Sequence, residues 1–240
     1  MIPLSYAQRR MWLLHQLEGG AATYNISAAF RLTGPLDQDA LTAALRDVAE
    51  RHEILRTLYA LDDAGEPCSR LLAATDTAQQ VRVRDVPPAD VPALIDEAVA
   101  HRFELTAELP WRADILRCSP NEHVLVLVIH HIASDGSSSA PMMRDLFTAY
   151  TARTRGGTPD WEPLPVQYKD YALWQREVLG DPRDAGSLAA AQVEYWRKEL
   201  AGVPQPLNLP LDRPRPAEAG SHGDTVPLHV DTATTTVLHR

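Results

Sequence analysis

Apolar residues recur along this chain with two periods, and the places where the period changes delimit its elements. Met11, Trp12 and Leu14 follow Ser5 at helical spacing, so Ser5 is predicted to cap a helix running through Gln16. A strand is expected over Ile26 to Thr33. Gly34-Pro35 then turns the chain, Asp37 caps, and Ala40, Leu41, Ala44, Leu45 and Val48 repeat at helical spacing up to about His52. Ile54 to Leu61 and Cys68 to Leu72 flank Asp62-Asp63-Ala64-Gly65, whose turn residues predict a hairpin. An amphipathic helix is expected over Val91 to Phe103. Trp111 to Cys118 reads as a strand, and Ser119-Pro120-Asn121 turns it into a second hairpin. Its return arm, Val124-Leu125-Val126-Leu127-Val128-Ile129, is the longest apolar run of the chain and predicts a central strand buried on both faces. Helices then follow at about Ser139 to Arg155, Gln167 to Leu179 and Ala185 to Leu200.

Strands that arrive in hairpins, with helices between them, predict an α+β fold: a mixed β-sheet covered by helices. Pro204, Pro206, Pro210, Pro214 and Pro216 crowd a stretch with little periodicity, which reads as an extended linker. The expected organisation is therefore a lobe over 1–201, a Pro-rich linker over 202–224 and the start of a second unit over 225–240. That second unit is predicted to open with a strand from Thr225 to Val230 and a helix from Asp231.

Composition removes several classes of function. With 240 residues and 45% hydrophobic content, the chain can bury a sizeable core. Twenty-three basic against 32 acidic residues give a net charge of -9 without a basic run, so neither nucleic acid nor a membrane is an expected partner. The uncharged stretch from His123 to Ser134 is shorter than the ~20 residues of a spanning helix. Arg9, Arg10, His15 and Glu18 interrupt any signal-peptide core. The expected location is cytoplasmic, with Cys68 and Cys118 as free thiols.

Chemistry concentrates in His130-His131-Ile132-Ala133-Ser134-Asp135-Gly136, placed where the buried strand ends. A histidine there can accept or donate a proton near neutral pH if a second group fixes its tautomer and orientation. Asp135 is near enough in sequence to help, and Gly136 relaxes the backbone. The alternative is a satisfied core histidine with Asp135 merely capping the next helix. Adjacent histidines on a strand end point to opposite sides, so His130 and His131 are not expected to share a metal ion. Ser137, Ser138 and Ser139 follow without a GxSxG elbow and read as a helix cap rather than a nucleophile.

This HHxxxDG string resembles the signature of condensation domains in nonribosomal peptide synthetases, shared more distantly with chloramphenicol acetyltransferase-like acyltransferases. Three further segments resemble that family's motifs in the family's order: Leu4-Ser5-Tyr6-Ala7-Gln8-Arg9-Arg10-Met11-Trp12, Arg51-His52-Glu53-Ile54-Leu55-Arg56-Thr57, and Tyr168-Lys169-Asp170-Tyr171-Ala172-Leu173-Trp174. Leu209 to Pro216 resembles the segment that crosses between the family's two lobes. The family's later motifs are absent, which makes this chain similar to an N-terminal lobe. The segment after the Asp-Gly pair departs from the family, which commonly has tryptophan where this chain has Ser137.

The resemblance implies amide bond formation between an acyl or peptidyl thioester on an upstream donor carrier protein and an aminoacyl acceptor on a downstream carrier, within a multidomain synthetase. It implies no directly bound cofactor, because the phosphopantetheine arms arrive on the carriers. His131 is the implied catalytic residue, as base or as positioning group. His130 is implied to face the core, Asp135 to pair with Arg56, and Gly136 to line the passage at the reacting carbonyl. His131-Ile132-Ala133 and Gly34-Pro35-Leu36-Asp37 resemble domains that accept a D-configured donor. The alternatives are an epimerisation domain of the same superfamily and a non-catalytic condensation-like recruitment module. A single lobe is expected to be inactive alone.

Overall fold

The computed structural model describes residues 1–74, 80–204, 210–216 and 226–238. Two units are distinguished, Met1–Gly202 and Val203–Arg240. In the first, strands β1 (Ile2–Pro3), β2 (Asn25–Thr33), β3 (Thr57–Leu61), β4 (Pro67–Leu71), β5 (Val81–Asp85), β6 (Trp111–Ser119) and β7 (Glu122–His130) are interspersed with helices α1 (Tyr6–Leu17), α2 (Gln38–Arg51), α3 (Val91–Val99), α4 (Ser139–Arg153), α5 (Tyr168–Leu179) and α6 (Leu188–Glu199). Four strands form a sheet in the order β2-β7-β6-β5, antiparallel except for the parallel β5–β6 pair, and β1-β4-β3 form a smaller antiparallel sheet. The result is a mixed sheet covered by helices.

Strand β7 explains the layering. Inside the four-stranded sheet, its Ile129 lies opposite Ile26 of β2 and Trp111 of β6. Leu127 and Ile129 meet Leu45 and Val48 of α2 and Met142 and Leu146 of α4. The alternate residues, Val126 and Val128, are 1% and 0% exposed, so both faces are covered. Each such side chain taken from water contributes about 1.5–3 kcal/mol. Trp111 is buried too, and its indole N–H donates to the Leu55 carbonyl at 2.8 Å, tying the sheet to the segment after α2.

Local chemistry sets the helix starts. Ser5 accepts from the Gln8 N–H while the Gln8 side chain accepts from the Ser5 N–H, a reciprocal cap on α1. Asp37 accepts from the Ala40 N–H at 2.8 Å, and Ser187 from the Ala190 N–H at 3.0 Å. In the first hairpin, Asp62 accepts from the N–H groups of Ala64 and Glu66, and Gly65 takes φ 79, a conformation a side chain would oppose.

Several boundaries differ from the sequence expectation. Helix α3 stops at Val99 rather than Phe103 because the Asn25 side chain donates to the carbonyls of Val99 and His101, at 2.9 and 2.8 Å. The strand expected from Ile54 begins at Thr57, since Glu53–Arg56 closes a 3-10 turn with the Thr57 hydroxyl on the Glu53 carbonyl. Helix α6 starts at Leu188, behind its Ser187 cap. Strands β1 and β5 were not expected. In β5, Val81 and Val83 alternate with Arg82 and Arg84, which reach across to Asp114, itself 1% exposed.

In the second unit, residues 203–204 and 210–216 carry no helix or strand, and the rest of the expected linker and Thr225 lie outside the described residues. Residues 226–230, expected as a strand, are assigned none. Helix α7 (Thr232–Leu238) follows Asp231, which accepts from the Thr234 N–H at 2.7 Å. No helix among the described residues is long and apolar enough to cross a membrane.

Candidate active site

The two histidines are sorted by the strand that carries them. At its C-terminal end β7 is still held on both sides, with the His130 N–H on the Pro110 carbonyl and the His131 N–H on the Tyr24 carbonyl, each at 2.8 Å. Consecutive side chains therefore point oppositely. His130 is 1% exposed, edge-on to His15 and Phe103 at centroid distances of 5.3 and 6.1 Å. Its Nδ1 accepts from the Ile132 N–H at 3.1 Å, which fixes the bend just past His131. Burial, reinforced by the nearby His15 and His131, pushes its pKa down to about 4, so it is a neutral support at physiological pH.

His131 is exposed and lines a cavity of about 610 Å³ together with residues of α1, the segment around His52, the 132–142 region and Leu164 to Tyr171. Its Nδ1 lies 2.7 Å from the Ser134 carbonyl. A carbonyl only accepts, so Nδ1 carries a proton and, in the neutral ring, Nε2 keeps its lone pair. The imidazole is thereby held in one tautomer by a backbone group three residues on.

Asp135 does not pair with Arg56. One Asp135 oxygen accepts from the Ser138 N–H at 2.9 Å and the Ser138 hydroxyl at 2.6 Å, while the Asp135 N–H donates to that hydroxyl. This reciprocal cap opens the short turn into α4, and its hydrogen bonds hold the carboxyl below its usual pKa. Arg56 is engaged elsewhere, donating to the Leu72 carbonyl at 2.6 Å and to Glu53 at 3.3 Å, and it does not line the cavity. Gly136 is absent from the lining as well, whereas its neighbours Asp135 and Ser137 belong to it. A Cβ added at Gly136 would meet nothing within 4 Å.

The sequence reading passed over a second polar cluster. Asp145 of α4 is 4% exposed and accepts from Arg51, Arg144 and His52, with His52 Nε2 at 2.9 Å. Burial alone would raise its pKa, but these bonds outweigh it and lower the value. His52 lines the same cavity as His131. The available signal was an Asp, Arg51 and His52 on helix faces that the apolar pattern turns toward one another.

The condensation-domain family model matches residues 1–240. The chain belongs to the condensation-domain family. It is 48% identical over 231 residues to a probable non-canonical nonribosomal peptide synthetase, CymA of Salinispora arenicola (strain CNS-205), covering 96% of this chain and 3% of that protein. Among solved structures it resembles the X-domain in complex with OxyB from teicoplanin biosynthesis, at TM-score 0.79 and 39% identity over 90% of this chain and 47% of that one. The starter condensation domain of rhizomide synthetase shares the fold at TM-score 0.70 and 23% identity, over 85% of this chain and 49% of that one. This condensation-family chain thus spans a small part of its synthetase relatives and about half of its solved neighbours, and its sheet-and-helix lobe has their chloramphenicol acetyltransferase-like architecture.

Proposed function

We propose that this chain is the N-terminal lobe, over 1–201, of a condensation domain that joins a carrier-bound acyl or peptidyl thioester to a carrier-bound aminoacyl group. The observation that carries the reading is the tautomer of His131: with Nδ1–H tied to Ser134, the ring offers a lone pair at the wall of the cavity. An incoming amine donates an N–H to that nitrogen and attacks the donor carbonyl. The C–N bond forms, the tetrahedral intermediate collapses, the C–S bond breaks, and the leaving thiolate takes up the proton the amine has lost. The phosphopantetheine arms belong to the carriers and act as substrate handles. Orientation is a large part of such a reaction, so the 240-residue chain alone, at about half the length of its solved neighbours, forms no peptide product.

The test is His131→Ala in the parent synthetase, assayed with loaded donor and acceptor carriers. A loss of at least about tenfold, roughly 1.4 kcal/mol of barrier, is expected; a smaller loss refutes the assignment.

A second reading has its own support. The likeness to the X-domain is closer, at 39% identity, than the likeness to the starter condensation domain, at 23%, and that X-domain is held in complex with another protein. Under this reading the lobe recruits a partner enzyme. Peptide formation by the wild-type parent decides against it; no product from correctly loaded carriers decides for it.

A further inference from the structure

The cavity beside His131 has a second imidazole on its wall, and that imidazole is also locked in one tautomer. His52 caps the C-terminus of α2 with its N–H on the Val48 carbonyl at 3.0 Å. Its Nε2 is 2.9 Å from an Asp145 oxygen that also accepts from Arg51 at 2.8 Å. A carboxylate held ionised by an arginine cannot donate, so His52 Nε2 carries a proton and, in the neutral ring, Nδ1 carries the lone pair. His52 lines the cavity and Asp145 does not, and Nδ1 lies on the ring edge away from Asp145, the edge through which the imidazole would meet a bound group. No hydrogen bond is made to that nitrogen among the described residues.

His131 has the complementary arrangement, with Nδ1–H engaged and Nε2 free. One cavity is therefore lined by two imidazoles that each present an acceptor. A carboxylate, a phosphate or a carbonyl oxygen would find no donor in either. A primary amine fits: it has two N–H groups, and donating both leaves its own lone pair directed away from the imidazoles and free to attack. Asp135 lines the same cavity, with one carboxylate oxygen turned to the Ser138 N–H and hydroxyl.

Resting on the amide-forming reading, we infer that His52 contacts the substrate and, with His131, binds the nucleophilic amine, one N–H on His52 Nδ1 and the other on His131 Nε2. Asp145 is then a positioning residue, acting through the His52 tautomer. The competing role for His52 is a clamp that only joins α2 to α4.

The experiment is histidine ¹⁵N NMR on the full chain, because it reads tautomers directly and requires no turnover. In the free protein His52 is expected as the Nε2–H tautomer and His131 as the Nδ1–H tautomer. Titration with glycinamide at mildly alkaline pH, where part of its amine is neutral, shifts His52 Nδ1 and His131 Nε2 along one saturation curve. Acetamide, which lacks the amine, shifts neither. Asp145→Asn abolishes the His52 response and spares that of His131. An Nδ1–H tautomer at His52, or a glycinamide response confined to His131, overturns the inference. In the parent, His52→Phe raises the acceptor KM at least about tenfold and leaves the donor KM unchanged, whereas equal change in both marks a clamp. A parent that forms no peptide while both ring nitrogens respond to glycinamide defeats the proposed reaction and leaves the amine site standing.

Discussion

Replacing His130 by asparagine should make the protein less sensitive to acid, and the size of the effect follows from where that ring sits. It is 1% exposed, and burial next to His15 and His131 lowers its pKa from 6.5 to about 4. Below pH 6.5 the unfolded chain takes up a proton at this position that the folded chain refuses, so folding loses stability as the pH falls and stops losing it only below the folded value. At 1.36 kcal/mol per pKa unit, His130 accounts for about 3 kcal/mol across that window. Asparagine retains an oxygen that can accept the Ile132 N–H now bound to Nδ1, but it has nothing to titrate. Urea unfolding followed by tryptophan fluorescence, at both ends of the window, gives two losses to compare. Carboxylates such as Asp135, and His15 with its own lowered pKa, contribute equally to both proteins and cancel. Wild type should lose about 2–3 kcal/mol more than His130→Asn. Losses equal within about 0.5 kcal/mol would show that His130 is protonated or hydrated in the fold, and the account of it as a neutral support would fail.

The remaining predictions concern His131, Asp135 and the Asp145 cluster. His131→Ala, at an exposed position, should leave unfolding free energy within about 0.5 kcal/mol of wild type, so any larger change in thermal melting would show a structural role. Arg56 and Asp135 share no contact, so a double-mutant cycle in unfolding free energy should give a coupling below about 0.5 kcal/mol; a larger coupling restores the ion pair. Asp145→Ala removes the acceptor of Arg51, Arg144 and His52 and should cost about 3–5 kcal/mol by denaturant unfolding, with a cost under about 1 kcal/mol refuting a buried cluster.

Where apolar residues decide the structure, the sequence was legible. The run from Val124 to Ile129 became the strand buried on both faces, and the caps Ser5 and Asp37 opened helices where their side chains could satisfy free N–H groups. The failures fall where polar side chains intervene from a distance. Asn25, far from α3 in sequence, takes the Val99 carbonyl, which in a longer helix would have accepted from the Phe103 N–H. Strand β5, at the edge of the sheet, alternates valine with arginine, and its arginines pair with the buried Asp114 of β6, which lies opposite Arg82. Neither partner can be read from the local period.

The same distinction governs the site. That His130 and His131 face opposite ways follows from the geometry of one strand, with His130 buried and His131 exposed. The expectation for Asp135 went wrong over competition for its oxygens. A serine three residues on can reach the carboxylate through both its hydroxyl and its N–H, with almost no chain entropy to lose. An arginine from another element must immobilise a long side chain to reach the same oxygens, and Arg56 has a nearer carbonyl at Leu72. With its charge used to cap the turn into α4, Asp135 positions the segment that carries the Ser134 carbonyl, and that carbonyl sets the His131 tautomer. The carboxylate thus acts on the His131 imidazole through the backbone, without an ion pair to Arg56.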